Sequence, residues 1–370
     1  MIEETHLSVN IPETKPYSYP IYINNKSISE LKTELDRETK GRKRLIVISK
    51  KVFKLYGKEL NFDKKELFLL KDGEEQKNIK TFEKILKHAI SLKLSRKDVV
   101  IAIGGGVAGD MAGFAAAVYM RGIDYIQVPT TLLACVDSSV GGKTAIDLPC
   151  GKNYAGTFYQ PKAVYINLNF LKTLDDKQYK SGVGEVLKYA FIEKSCKCGE
   201  CFNLLEILKF QKSDYENRNE SFLKKIIEIC LKLKISVVTK DEKENGLRKI
   251  LNFGHTLGHA LEEETHYRRY THGYAVVLGM MYVFNFALKN KICSRKYYDT
   301  ARTLLDMYGY EIGNFWFVNK SRVLKLMRCD KKADNNTITF ILPSDTGEII
   351  EYKYSDNKAP EFNINYIPYK

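Results

Sequence analysis

Val99-Val100-Ile101-Ala102-Ile103 is an unbroken apolar run that leads directly into Gly104-Gly105-Gly106. A strand without polar alternation belongs to a sheet covered on both faces. The glycines that follow, Gly104-x-Gly106-x-x-Gly109, open a helix, where bare backbone lets N–H groups approach a pyrophosphate and the helix dipole favours negative charge. The acidic residue that completes the usual fingerprint should close the second strand about 20 positions later. Asp124 is near in number but precedes its strand. The stretch therefore reads as a dinucleotide-binding turn outside the standard fingerprint. The competing reading is a plain βα turn in which Asp110 merely caps the helix.

Working outward, Arg44-Leu45-Ile46-Val47-Ile48 is a buried strand leading into a helix through Val52 to Tyr56, and Glu66 to Leu70 is a second strand ending at the turn-forming Asp72-Gly73. Lys77 to Leu94 reads as an amphipathic helix. Tyr125 to Val128 and Ala163 to Ile166 are further strands. Strands alternating with helices imply a parallel, doubly wound sheet. Beyond residue 176 long helical periodicities take over, at Phe222 to Val238, Gly254 to Glu264 and Gly273 to Lys289, and only Thr337 to Leu342 returns to strand. The chain is thus expected to be α/β. An N-terminal Rossmann-like parallel-sheet domain occupies residues 1–176 and a mainly α-helical domain residues 177–370, with the site in the cleft between them.

The chain has 370 residues, 44% hydrophobic and 28% charged, which suits two globular domains. No stretch approaches the ~20 apolar residues of a membrane span, and the N-terminus lacks the pattern of a secretion signal. A cytoplasmic protein is expected, with its eight cysteines as thiols. Cys196, Cys198 and Cys201 cluster, but no second Cys or His pair stands at finger spacing. The net charge of +14 is spread along the chain with acidic residues interspersed, which reads as a lysine-rich surface and not as a nucleic-acid footprint.

Four of the six histidines fall between 255 and 272. His255 and His259 share one helical face, and His272 follows just before the next helix. Clustered imidazoles are the usual donors to zinc or a similar ion, and a catalytic site needs three protein ligands with a position left open. Glu185, set among apolar and glycine residues, is a third candidate that calls for a buried partner. Spacing leaves open which of His255 and His259 is the ligand; His266 reads as a solvated loop residue.

Taken together, these stretches resemble 3-dehydroquinate synthases. The resemblance is carried by Gly104 to Phe114, Arg121-Gly122, Pro129-Thr130-Thr131 through Val140-Gly141-Gly142-Lys143-Thr144-Ala145-Ile146, and Gly151-Lys152-Asn153. It continues through Glu185-x-x-Lys188, Lys234 ahead of Asp241-Glu242, Arg248 to Glu262, His272-Gly273 and Asp330-Lys331-Lys332. It covers nearly the whole chain in the family's order. It implies NAD in the α/β domain, contacted by Glu74, Lys77, Gly105, Gly106, Val107, Asp110, Thr130, Thr131, Asp137, Ser138, Lys143, Lys152, Phe170, Thr173 and Leu174. It implies zinc or cobalt held by Glu185, His255 and His272, with His259 on the substrate side. A substrate pocket of Lys143, Asn153, Lys188, Lys234, Arg248, Asn252, His259, Lys331 and Lys332 is implied as well. So is a homodimer in which Arg121 reaches the neighbouring subunit's site.

The family's substrate, 3-deoxy-D-arabino-heptulosonate 7-phosphate, carries a carboxylate and a phosphate, and two anions in one cleft need several cations. The implied cycle is transient oxidation by NAD, elimination of phosphate, re-reduction, ring opening and an internal aldol closure. The leaving phosphate is able to serve as its own base, which leaves orientation as much of the protein's task. Ser49, Asp147, Cys150, Asp175, Gln178 and Tyr274 depart from the family's habit. Ser49 stands where an acidic residue commonly holds the adenosine ribose. Rivals are sister sugar phosphate cyclases acting on substrates without the carboxylate, a metal-dependent polyol dehydrogenase, and a basic nucleic-acid-binding protein. Arg248, Asn252 and His259 favour dehydroquinate synthase, and the last rival leaves Glu185 and the histidines unexplained.

Overall fold

The computed structural model describes residues 17–149, 151–312, 318–328, 338–345 and 347–354. Its first part is a six-stranded sheet, all parallel, in the order β1-β8-β5-β4-β2-β3. The strands are β1 (Ile21–Asn24), β2 (Arg44–Ser49), β3 (Leu67–Leu70), β4 (Val99–Gly104), β5 (Asp124–Pro129) and β8 (Ala163–Asn167). The helices between them are α1 (Ile28–Glu38), α2 (Lys50–Leu60), α3 (Ile79–Ser91) and α4 (Gly106–Val118). Alternate residues of each strand serve opposite faces. Leu45, Val47, Val100 and Ala102 pack with Phe82, Ile85, Met111 and Ala115 of α3 and α4. Ile46, Ile48, Val99, Ile101 and Ile103 pack with Leu31, Leu35, Val52 and Leu60 of α1 and α2. Both faces are therefore apolar, which is why β4 shows no alternation.

The winding reverses between β2 and β4, so Ser49 and Gly104, at their carboxyl ends, border the crevice where such sheets bind ligands. An antiparallel hairpin of β6 (Lys143–Leu148) and β7 (Gly151–Phe158) stands outside the sheet.

The helical part comprises α5 (Asn169–Lys172), α6 (Asp176–Ile192), α7 (Leu204–Phe210), α8 (Lys212–Glu216), α9 (Glu220–Lys240), α10 (His255–Glu264), α11 (His272–Lys289), α12 (Arg295–Met307) and α13 (Lys320–Arg328). Helices α6 and α11 are buried almost all round, as the central members of a bundle must be. A terminal hairpin, β9 (Ile338–Pro343) with β10 (Ile349–Tyr354), lays Phe340 against Tyr282 and Phe286 of α11, with ring centroids 5.9 and 5.1 Å apart.

Several elements differ from expectation. The edge strand β1 is short and half-exposed, so its period is weak. Glu66 leaves the second strand for a single helical turn, where it pairs with Arg44. The third helix begins at Ile79 because Asn78 caps it and Lys77 turns inward; it ends at Ser91. The hairpin β6–β7 was hidden because its polar residues serve the cleft. Thr337, expected to begin the last strand, lies outside the described residues. Among the described residues no helix is long and apolar enough to cross a membrane.

Candidate active site

Glycine brings the helices that carry the candidate ligands into backbone contact. A Cβ on Gly184 of α6 would stand 2.3 Å from the Gly273 carbonyl oxygen, and one on Gly273 of α11 would stand 1.8 Å from that of Ser181. A Cβ on Gly279 of α11 would meet the Gly254 carbonyl oxygen at 1.8 Å. Gly254 itself turns at φ +79°, a left-handed conformation that releases α10 at His255. The close approach sets His255 and His272, the first residues of their helices, against Glu185. Gly184→Ala is therefore expected to force α6 and α11 apart, costing roughly 1–3 kcal/mol of stability by overpacking. Metal retention should fall with it, as thermal melting and elemental analysis would show.

Glu185 is fully buried. One oxygen lies 3.6 Å from Nε2 of His255 and 3.4 Å from Nε2 of His272, and the other lies 2.5 Å from Nζ of Lys188. Neither oxygen has a hydrogen bond of good geometry. One ligand atom from each of Glu185, His255 and His272 lies within 4.8 Å of the others. The remaining ring nitrogens are engaged: Nδ1 of His255 with the Phe253 carbonyl oxygen at 3.1 Å, and Nδ1 of His272 with the Glu262 carboxylate at 3.1 Å. Such outer partners orient an imidazole and present Nε2 to an ion. Burial opposes ionisation of Glu185, but Lys188, His272 and His255 outweigh it and hold its pKa at about 2. Burial lowers that of His255 to about 3. For His272 the two carboxylates overcome burial and raise its pKa to about 10, so a metal ion would take the place of a proton.

Cations crowd the next layer. The Asp137 carboxylate receives hydrogen bonds from Tyr189 OH at 2.6 Å and Lys234 Nζ at 2.9 Å, and Lys188 stands 3.6 Å away. Burial resists its charge, yet Lys188 and Lys234 hold it well below the usual carboxylate range. Burial lowers the Lys234 ammonium to about 8 against the pull of Asp137. Arg248 is 1% exposed; its guanidinium donates to the Gly141 carbonyl at 2.9 Å and to that of Glu242. A Cβ on Gly141, at φ +99°, would lie 2.7 Å from that guanidinium. Lys143 and Asn252 both contact the Glu244 carboxylate.

On the sheet side, α4 starts without a side-chain cap, which leaves its N–H groups for an anion. Gly105 fits against Thr131 and Gly106 against Ser138, where a Cβ would come within 3.1 and 3.3 Å. Thr130 donates its N–H to Gly104 at 2.9 Å. Lys77 pairs with Asp110 at 2.6 Å and also contacts Asn153. Lys152 pairs with Glu74 at 3.0 Å and Glu262 at 3.4 Å. Thr173 bonds Tyr56 at 2.7 Å and Phe170 packs edge-on to the same ring, while Leu174 lies under the helical core. Val107 packs into the α3–α4 face.

These contacts join ten of the expected residues into two chains of partners. One runs from Asp110 through Lys77 to Asn153, and the other from Glu74 through Lys152, Glu262, His272, Glu185, Lys188 and Asp137 to Lys234. His259 stands beside it, its ring centroid 5.3 Å from that of His255 and 5.8 Å from that of His272. Arg121 sits instead on an exposed left-handed turn past the far end of α4. Lys331 and Lys332 lie outside the described residues, as does Cys150.

The departures find structural partners. The Ser49 hydroxyl donates to Asp72, which brings a carboxylate to the end of β2 from the neighbouring strand's turn. Asp175 caps α6 at the Gln178 N–H and pairs with Lys51. Asp147 accepts from Asn153 N–H at 2.8 Å, and Tyr274 OH accepts from Glu311 N–H at 2.9 Å.

Sequence reading missed Glu262, Glu244 and Tyr189. Glu262 had a signal, since it follows His259 by three positions on one helical face. Glu244 had none, because Asp241-Glu242-Lys243-Glu244 looks like solvated loop. Of the clustered cysteines, Cys196 is buried, with its thiol pushed up to about 12 by burial, Cys198 is half-buried and Cys201 is exposed.

Residues 67–181 match the family described as 3-dehydroquinate synthase N-terminal, and residues 182–333 match 3-dehydroquinate synthase C-terminal. A 3-dehydroquinate synthase of Prochlorococcus marinus (strain MIT 9215) is 41% identical over 338 residues, covering 89% of this chain and 90% of that protein. The chain belongs to the 3-dehydroquinate synthase family. Two solved structures share this chain's fold. The 2-epi-5-epi-valiolone synthase of Streptomyces hygroscopicus subsp. jinggangensis 5008, solved with NAD+ and Zn2+, superposes with a TM-score of 0.81 at 22% identity over 95% of this chain and 96% of that one. A 2-deoxy-scyllo-inosose synthase complexed with carbaglucose-6-phosphate, NAD+ and Co2+ has a TM-score of 0.76 at 26% identity, covering 90% and 91%.

Proposed function

We propose that this synthase converts 3-deoxy-D-arabino-heptulosonate 7-phosphate to 3-dehydroquinate and phosphate, with NAD and a divalent ion, zinc or cobalt, as resident cofactors. The observation that carries this reading is the meeting of Glu185, His255 and His272 beside a buried group of cations. The donor set fits a divalent ion: a buried carboxylate without good hydrogen bonds faces two imidazoles whose other nitrogens are engaged. The uncapped start of α4, closed around by Thr131 and Ser138, fits a dinucleotide phosphate. Held by these residues, a metal would supply Lewis acidity toward a substrate hydroxyl, and a dinucleotide would supply a reversible hydride acceptor.

The chain's own residues bind, orient and neutralise. Lys143, Lys188, Lys234 and Arg248 are the cations for the substrate's carboxylate and phosphate, with Asn153, Asn252 and His259 as polar neighbours. Asp137 holds Lys234 and Tyr189 in place, and Lys234, with its pKa near 8, is suited to holding or releasing a proton at Nζ. Lys77, Asp110, Glu74 and Lys152 line the dinucleotide side. Burial of Lys188, Lys234 and Arg248 strengthens their charge interactions.

The synthase is proposed to act in the cytoplasm as a homodimer in which Arg121 completes the partner's site. Helix α4 carries the glycine loop at one end and leads to Arg121 at the other. Its 13 residues span about 20 Å, so Arg121 is poorly placed for its own site.

Metal-loaded protein given the heptulosonate phosphate and catalytic NAD is expected to release phosphate without accumulating NADH. Steady NADH on a polyol would instead identify a dehydrogenase, and no turnover would refute the reading.

A further inference from the structure

Glu262 uses its two oxygens in different directions. Almost completely buried on α10, it accepts from Nδ1 of His272 at 3.1 Å through one oxygen and pairs with Lys152 at 3.4 Å through the other. Lys152 belongs to the β6–β7 hairpin and also pairs with Glu74 at 3.0 Å, in the turn after β3. Three residues on, Lys77 reaches Asp110 in α4, the helix that begins at the glycine loop. A single carboxylate therefore joins a candidate metal ligand to the cation that faces the dinucleotide side.

We propose that Glu262 is a positioning residue through which dinucleotide binding strengthens metal binding. This rests on the reading of Glu185, His255 and His272 as metal ligands and goes beyond it. In the chain as it stands, Lys152 draws part of the Glu262 charge away from His272. An anionic dinucleotide beside Lys152 shares that cation and returns the carboxylate to the Nδ1–H of His272. The more strongly that hydrogen is held, the better a donor Nε2 becomes. Binding linkage is reciprocal, so the metal must tighten the dinucleotide by the same factor. His259, Glu262 and His272 also converge closely enough to hold an ion. Lys152 opposes a cation at that second position, and an ion on Nδ1 would remove the bond that orients His272.

The test is the dissociation constant of Zn2+, measured by competition with a chromogenic chelator, without and with saturating NAD. In the unaltered protein NAD is expected to tighten Zn2+ by about fivefold or more. Glu262→Gln, which keeps size and loses charge, should weaken Zn2+ by roughly 10- to 100-fold and bring the NAD effect close to one. Lys152→Met, at saturating NAD, should also bring it close to one. A purely structural Glu262 would weaken Zn2+ with or without NAD and leave their ratio intact, and that result would overturn the proposal. So would unchanged affinity and ratio in Glu262→Gln. His255→Ala separates the underlying reading: if it binds Zn2+ as tightly as the unaltered protein, the ligand assignment fails, whatever Glu262 does.

Discussion

His255→Ala is expected to leave a folded protein that retains no stoichiometric metal and turns over at least about a thousandfold more slowly. Three protein ligands are the minimum of a catalytic zinc site, and Lewis-acid assistance supplies several kcal/mol, about 1.4 kcal/mol for each tenfold in rate. The imidazole is fixed by the Phe253 carbonyl so that Nε2 faces Glu185, and among the described residues His255 is the group that completes the set with Glu185 and His272. His259 belongs to a different convergent set, with Glu262 and His272, so His259→Ala should keep its metal. Elemental analysis with the phosphate-release assay decides the matter. One equivalent of metal with near-native turnover in His255→Ala would end the assignment.

Arg248→Ala is expected to lose both activity and stability. The guanidinium is buried, donates to the carbonyls of Gly141 and Glu242, and lies 5.3 Å from the Phe158 ring centre. Truncation leaves the buried Gly141 carbonyl without its donor, at about 1–3 kcal/mol, and removes one of the buried cations of the pocket. We expect kcat/KM to fall at least about a hundredfold, equivalent to ~2.7 kcal/mol, with a lower Tm. Arg248→Lys should not restore it, because an ammonium cannot reproduce the planar fork. Near-native kcat/KM in both variants would refute the placement of this residue in the substrate pocket.

Much of the fold was legible because the sheet is buried on both sides. That condition writes continuous apolar runs at Leu45 to Ile48 and Val99 to Ile103, and a run at Tyr125 to Val128 broken only by Gln127, and glycine at 104 to 106 marks where β4 must turn. The edge strand β1 and the β6–β7 hairpin carry no such run, since one is half-exposed and the other turns its polar side chains to the cleft. In the candidate site, residue types were readable and their pairings were not. Glu185 asked for a partner, and only packing showed it to be Lys188 on one oxygen and the imidazoles on the other.

By itself, the amino-acid sequence determined a parallel α/β half followed by a helical half, a glycine turn suited to phosphate, and a short list of side chains able to hold an ion. Local periodicity and residue chemistry suffice for those, because each depends on neighbours a few positions away. The tertiary structure decided which imidazole turns to Glu185, that Glu262 ties His272 to Lys152, and that Glu244 meets Lys143 and Asn252. The first of these outcomes follows from the glycine contacts that let α6 and α10 approach α11 backbone to backbone. Helical spacing puts His255, His259 and Glu262 on one face, and only the helix packed against that face determines which of them meets which partner.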